Sequence, residues 1–438
     1  MPASEFSQTP NKPFNIAVIG GGIAGLTLTL ALLKKRVPVT LYEAASKFGE
    51  IGAGVSFGPN ASRAMKLISP GIYDGFQNGA TLNQSQDKRG YWFSIQYGQD
   101  LGQGDLITEL PCEGGHAAVH RAHFLDKLFE LLPEGVARFG KRAVGYEQNA
   151  DGVTIKFLDG TEAKHDAVVG CDGIKSKTRA CMLGEQDPAS KAEYSGKYAY
   201  RGLVPMAKAK ELLGEEKAQN SQMYYGRNGH MLTFSIEKGK TMNGKLVSLF
   251  QERLSDKTAP VVAFRSSETW DSPDWVVTAD KEKMFSDFSS WSPTVRSIIS
   301  LVQKPDIWAL FQHPNARTYH DGNVALLGDA AHATTPHQGA GAGMCVEDSY
   351  IMSNLLGDVY DKKDIGKAFA VYDQVRRPRG QNLVKTSREA GMLYEMELVG
   401  EDREKIKANL ESRMKWLWDY DIEDELKRAK TLFQQAKM

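Results

Sequence analysis

What the sequence lacks narrows it first. It has four cysteines (Cys112, Cys171, Cys181 and Cys345) and no CxxC pair. That argues against a disulfide scaffold, a zinc ribbon and a thioredoxin-type dithiol. It lacks an excess of either charge. Its 54 lysines and arginines meet 54 aspartates and glutamates, so no net field draws it to nucleic acid or an anionic membrane. It also lacks an unbroken run of membrane length. Ile16 to Leu33 carries no charge over 18 residues, but Gly20, Gly21, Gly22 and Gly25 interrupt it, and a spanning helix needs about 20 apolar residues. The terminal Gln-Ala-Lys-Met is no lipidation or retention signal. The expectation is a reduced, cytoplasmic enzyme without a membrane span or a nucleic-acid partner, either a monomer or a homodimer. At 438 residues, and roughly 100–200 per domain, two or three domains are expected.

Glycine is what the chain has in plenty. Its 42 glycines exceed the average of roughly 7 %, and many gather in three short loops. The first lies between Ile16-Ala-Val-Ile19, read as a short buried strand, and an apolar helix from Ile23 to Leu33. Lys34-Lys-Arg36 follows, where a helix C-terminus favours cations. Val37 to Glu43 reads as a second strand, completing a βαβ unit of about thirty residues. Residues 1–13 read as a disordered leader. Further on come a helix (Ala122 to Leu132), a strand from Ala143, an Asp159-Gly160 hairpin, and a buried strand Ala167-Val-Val-Gly170. From about 190 to 310 the pattern alternates, as in Tyr198–Val204, His230–Ile236 and Leu246–Phe250, which suggests an antiparallel sheet. Near Asn323–Leu327 the buried-strand pattern returns, followed by a loop and a helix through Leu356, and the tail from about 400 is charged and helical.

Gly20-Gly-Gly22-Ile-Ala-Gly25 is a GxGxxG between a strand and a helix. Gly20 would permit the tight turn, Gly22 the approach of a pyrophosphate, and Gly25 close helix–strand packing. Glu43, at the end of the second strand, is placed to bond a ribose hydroxyl. The plain alternative is a glycine-rich turn beside an ordinary glutamate. The chain has one such fingerprint, which could serve NAD in a dehydrogenase or a resident FAD.

Two more loops bear on that choice: Asp172-Gly173, and Gly328-Asp-Ala-Ala-His-Ala-Thr-Thr-Pro336. With the first they resemble the three motifs of the single-component flavin-dependent aromatic hydroxylases, above all salicylate hydroxylases and fungal phenol-acid monooxygenases. Gly52-Ala-Gly54, Pro59-Asn60, His120-Arg121, Tyr200-Arg-Gly202 and His337-Gln-Gly-Ala-Gly-Ala-Gly343 extend the resemblance over most of the chain. The resemblance implies an α/β protein: a Rossmann-like FAD-binding domain with a parallel sheet, an inserted antiparallel-sheet substrate domain, and C-terminal helices. The expected boundaries are 1–75, 105–185 and 315–395 for the FAD domain, 76–104 and 186–314 for the substrate domain, and 396–438 for the tail.

It also implies roles for residues. FAD, held noncovalently, would be contacted by Gly20, Gly22, Gly25, Glu43, Gly54, Arg121, Asp172, Asp329, Gly339, Gly341 and Ala342. Asp172 is open between positioning FAD and meeting the nicotinamide cofactor; for Asp329 the plain alternative is a helix N-cap, and both roles could hold at once. The Gly339–Gly343 N–H groups would face negative charge building on the flavin. Pro336 and His337 would stand beside the reacting ring.

NADH or NADPH would serve as transient reductant, and oxygen would reach a phenolic ring through a flavin C4a-hydroperoxide, with or without decarboxylation. No His-x-x-x-His or cysteine cluster suggests a metal. On the substrate sheet, Arg201 shares a face with Leu203 and could grip a carboxylate or phenolate, or pair with an internal acid. His230 could relay the phenolic proton, or be structural. Met223, Tyr224 and Tyr225 are open as to which faces inward. Related dearomatising enzymes carry tyrosine where this chain has Phe234, which favours ordinary or decarboxylative hydroxylation. A flavin dehydrogenase or oxidase, and a non-catalytic protein on the same scaffold, are the alternatives from other classes.

Overall fold

A computed structural model describes residues 3–7, 9–46, 54–101, 106–235 and 258–438. The expected strand Leu246–Phe250, the end of His230–Ile236, and Gly52-Ala53 lie outside the described residues.

Four short apolar segments form the centre of the first sheet. In spatial order it runs His320–Asp321, Val324–Leu326, Ala167–Gly170, Ile16–Ile19, Val39–Tyr42 and Ala137–Arg138. All pairs are parallel except the first. Strands buried on both faces need no alternation, and Ile16–Ile19, Ala167–Gly170 and Val324–Leu326 are buried throughout. Registers Ile19↔Tyr42, Ile19↔Gly170 and Gly170↔Leu326 align the carboxyl ends of these strands. Gly20, Glu43, Asp172 and Asp329 therefore emerge along one edge, where open parallel sheets bind ligands.

The helix Ile23–Lys34 is buried from Leu26 to Leu33, as an all-apolar helix must be. It packs against the helix Gly341–Gly357, itself buried from Gly343 to Leu356. The 30-residue helix Ile365–Tyr394 continues through an interior Pro378. Helices Arg403–Trp418 and Ile422–Lys437 close the chain. Arg376, fully buried, ties the last of them to the rest: it donates to Asp348 Oδ1 at 2.8 Å, Glu347 Oε2 at 2.9 Å and Glu425 Oε2 at 2.6 Å.

The second sheet has eight strands in the order Val276–Thr278, Gln303–Gln312, Glu193–Pro205, Thr258–Ser266, Gly229–Thr233, Gln222–Gly226, Tyr91–Tyr97 and Leu106–Pro111. It is antiparallel except that Gln222–Gly226 runs parallel to Tyr91–Tyr97. One face buries Tyr198, Tyr200, Tyr224 and Met231 with Met284, Phe288, Val295 and Ile298. The other packs Tyr97, Met223 and Tyr225 against Ala340, Met344, Leu393 and Tyr394. Alternation along the strands decides which side chain goes where, and it turns Tyr225 and Met223 toward the first sheet's side and Tyr224 away.

Two expectations need correction. Leu106–Pro111 pairs with Tyr91–Tyr97 in the second sheet, so the boundary expected at 104–105 falls after Pro111. Residues 3–6 form a short helix. Phe6 is 1 % exposed in the first core and Glu5 pairs with Lys34, so burial of one aromatic orders what reads as a polar leader.

Candidate active site

The fingerprint glycines have distinct steric reasons. Gly20 has φ +102°, and a Cβ there would lie 2.4 Å from Cys171 O; a Cβ on Gly25 would lie 1.8 Å from Gly20 O. At Gly22 the nearest group to an added Cβ is Arg121 Nη2, at 3.8 Å, so that glycine looks into open space beside a cation. Glu43 Oε2 accepts from Gly21 N–H at 2.6 Å and Oε1 from Ala45 N–H at 2.7 Å. The glutamate thus organises the loop from the strand end where a ribose was expected. Gly54 pairs with His120 across an antiparallel bridge, which sets it beside Arg121, the first residue of the helix Arg121–Glu130. Burial works against the Arg121 charge and Asp329 supports it.

From Val324 to Ala333 every residue is buried except Asp329, which is exposed. Gly328, at φ +65°, takes the N-cap position, and Asp329 follows it without capping the helix through its side chain. The N-cap alternative therefore fails, and the carboxylate is free to face a ligand. Gly341 approaches it: a Cβ there would lie 3.9 Å from Asp329 Oδ1. Gly341, Ala342 and Gly343 open their helix without a side-chain cap, so their N–H groups have no partner within the helix. Gly339 sits in the left-handed region at φ +60°. Gly339, Gly341 and Ala342 are partly exposed and Pro336 and Asp329 are exposed, which leaves these loops open at the surface. Unpaired N–H groups, a helix N-terminus and Arg121 suit an anionic dinucleotide such as FAD. Asp172 differs. Its Oδ1 accepts from Ser176 Oγ at 2.5 Å, and its Oδ2 from Thr178 N at 3.0 Å and Oγ1 at 3.1 Å. Its visible role is to tie its own loop.

Beneath these loops the inner face of the second sheet brings His230 against His337 of the Pro336–Gln338 turn. His230 is fully buried, stacked on Phe264 at 4.1 Å and 6°. Its centroid lies 5.3 Å from His337 and 5.2 Å from Tyr394. His230 Nδ1 is 3.2 Å from Glu395 Oε1. The other Glu395 oxygen accepts from Ser266 Oγ at 2.7 Å and from the Lys197 ammonium. His337 Nδ1 pairs with Thr335 Oγ1 at 2.9 Å, and its carbonyl accepts from Tyr394 OH at 3.0 Å. Among the described residues neither Nε2 has a partner, nor has Tyr225 OH. Burial lowers both imidazoles, His337 to about 3. Burial would raise Glu395, but the His230 hydrogen bond and Lys197 outweigh it and hold the carboxyl at about 2. One nitrogen of each histidine and one Glu395 oxygen lie within 4.8 Å of one another. Lys197 already supplies the cation there, so we do not identify a metal centre.

Arg201 lies on the same face, opposite Val262 and Asp306 and two residues along from Ala199, which pairs with Phe264. Its guanidinium stacks over Trp308 at 4.2 Å. Burial works against its charge, and Asp306 offsets this from across the strands. Among the described residues no hydrogen bond or ion pair holds it. Phe234 packs on His116 at 5.4 Å. Glu395, Lys197, Ser266, Phe264 and Tyr394 are absent from the sequence reading. The one available signal was an acid in the otherwise apolar run Ala390-Gly-Met-Leu-Tyr-Glu-Met396.

The chain is similar to known proteins over most of its length. Residues 301–387 match a family model described as an FAD binding domain. The chain is 39 % identical to a 6-methylsalicylate 1-monooxygenase of Aspergillus terreus, over 97 % of this chain and 94 % of that protein. It is 38 % identical to a salicylate hydroxylase of Pseudomonas putida, over 95 % and 94 %. A solved salicylate hydroxylase substrate complex superposes with TM-score 0.83 at 37 % identity, covering 95 % of this chain and 98 % of that one.

Proposed function

The chain belongs to the FAD-dependent aromatic monooxygenases that include the salicylate hydroxylases, and from that premise we propose that it hydroxylates a phenolic, salicylate-like acid at the expense of NADH or NADPH and O2. One juxtaposition carries the reading. A single sheet face presents a partly buried guanidinium with no hydrogen-bonded or ion-paired partner among the described residues, and a fully buried imidazole with an unpartnered nitrogen. A buried cation calls for an anion, and a buried ring nitrogen calls for a hydrogen-bond partner. A ring carrying a carboxylate and a hydroxyl supplies both.

FAD, when bound, supplies hydride acceptance and oxygen activation. Gly20 to Gly25, Arg121, Asp329 and the N–H groups of Gly341 and Ala342 would hold it noncovalently, with Glu43 shaping the loop. On the sheet face Arg201 would grip the substrate anion, and His230 would take up the phenolic proton, which raises the ring's nucleophilicity. Pro336, His337, Phe264, Tyr225 and Tyr394 would exclude water from the reacting ring.

The test is a panel of salicylate-type acids followed by NAD(P)H oxidation, product mass and CO2 release. A product gaining one oxygen, with or without loss of CO2, is expected. Acid precipitation should release the yellow flavin from the pellet. Turnover without NAD(P)H, or oxygen uptake that never yields an oxygenated phenol, would point instead to a flavin dehydrogenase or oxidase.

A further inference from the structure

The surroundings of His230 dictate its tautomer. Glu395 is held ionised, and an ionised carboxylate only accepts hydrogen bonds. The nitrogen facing it, Nδ1, therefore carries the hydrogen. Burial disfavours the charged ring, so with Nδ1 carrying the hydrogen Nε2 is left as the acceptor, buried and without a partner among the described residues. Glu395 is itself clamped, by Ser266 Oγ at 2.7 Å and by Lys197, whose ammonium also lies 3.4 Å from Glu397 Oε1. The remaining titratable groups facing the ring are Tyr225 on the adjoining strand, Tyr394 beside Glu395, and His337 on the Pro336 loop. Phe264 stacks flat on the imidazole, so the ring is held by one stacking contact and one directional hydrogen bond.

We propose that Glu395, clamped by Lys197 and Ser266, is a positioning residue that fixes His230 with Nε2 as the acceptor for the substrate hydroxyl. This rests on the phenolic reading above. The phenol O–H bond breaks with its electron pair left on oxygen, and the proton binds Nε2. The imidazolium so formed keeps its Nδ1–H on Glu395. The carboxylate thereby lowers the cost of a positive charge in a buried site, as the acid of a Ser-His-Asp triad does for its histidine.

Glu395→Gln keeps the shape and removes the charge. Because that leaves Lys197 less compensated, Lys197→Met/Glu395→Gln is made beside it, and FAD content and melting temperature are followed in both. The first readout needs no turnover: the ultraviolet spectrum of a phenolic acid bound to the oxidised holoenzyme. Wild type should bind it as phenolate below its free phenol pKa, and the variants as neutral phenol. The second readout compares two substrates. For an ordinary phenolic acid kcat/KM should fall about tenfold to hundredfold. For a nitro-substituted analogue already ionised at the assay pH it should fall less than about threefold. Equal losses on both substrates, no loss on either, or phenolate spectra in both variants would overturn the proposal. If neither variant folds, Ser266→Ala loosens the clamp without removing a charge and should show the same substrate contrast, at about threefold; no contrast there overturns it too. Wild type that hydroxylates phenolic acids while the variants behave like it defeats this inference alone. Wild type that hydroxylates none defeats the functional reading and this inference with it.

Discussion

The two sides of the candidate site are built on different logic. The cofactor side uses backbone: glycines, helix N-terminal N–H groups and strand-end loops, each contained within a few consecutive residues. The proposed substrate side uses side chains brought from far apart, Lys197, His230, Phe264, His337 and Glu395, drawn from one sheet, the Pro336–Gln338 turn and the end of a long helix. Backbone chemistry leaves little room for replacement, since a missing hydrogen atom's worth of space cannot be recovered elsewhere. Side-chain chemistry on a sheet face can be exchanged one position at a time. The relatives share the general reaction class under differently named activities, which fits a fixed cradle under an adjustable face.

The largest expected effect lies beneath the cradle. Arg376 neutralises Glu347, Asp348 and Glu425 in the interior. Arg376→Met would leave buried carboxylates uncompensated, at a cost of about 3–5 kcal/mol. Burial raises Glu347 and Asp348, but Arg379, Arg376 and His332 outweigh it and hold both below the ordinary carboxylate range. Their folded pKa values are depressed, so the stability they contribute is fully present above the unfolded values, about 4, and is lost progressively as pH falls below that toward the lower folded values. Acid titration by circular dichroism and flavin fluorescence should show wild type unfolding in that window. An Arg376→Met protein that matched wild-type melting would remove the network from the argument.

Next comes Gly25→Ala. Its Cβ would meet Gly20 O at 1.8 Å, backbone that cannot swing aside, so a loss of about 3 kcal/mol and poor FAD occupancy are expected. Normal absorbance at 450 nm per protein would contradict the packing.

That asymmetry explains what was legible. Gly20 to Gly25 and Glu43 stand out because the physical requirement is local: a strand end, a turn and a helix start fall within one window, whereas Asp329 and the Gly339–Gly343 loop are reached only through the family resemblance. The alternation of Tyr198–Val204 announced a strand, but the choice between Tyr224 and Tyr225 depends on which face the neighbouring helices cover. Glu395 is harder still. It closes a helix, its partner His230 lies 165 residues upstream, and only its place as an acid in an apolar run marks it. The leader misread at Phe6 has the same cause, since one aromatic finds its core only in three dimensions.

A smaller effect is expected at the rim of the cradle. Asp329→Ala removes an exposed carboxylate from an otherwise buried run, so folding should be almost untouched. FAD affinity should weaken by about 2 kcal/mol, roughly thirtyfold, as read by titrating apoprotein with FAD. Unchanged affinity would confine the FAD-binding role to backbone groups and sharpen the contrast between the two sides.

The smallest effect tests the substrate face at Arg201. Lysine would keep the charge but lose both the planar stack on Trp308 and the fork that holds a carboxylate through two parallel bonds. If Arg201 grips the substrate anion, the apparent KM for a phenolic acid should rise about tenfold, near 1.4 kcal/mol, with FAD content unchanged. More NAD(P)H should then be consumed per hydroxylated product, because a misplaced ring wastes the activated oxygen as peroxide. The competing outcome is equally definite. If Asp306, across the strand pair, is the partner that matters, Arg201→Lys should lower the melting temperature and leave KM and coupling as they were. In that case the anion site would have to be sought elsewhere on the sheet face, and the side-chain half of the comparison would rest on His230 and Glu395 alone.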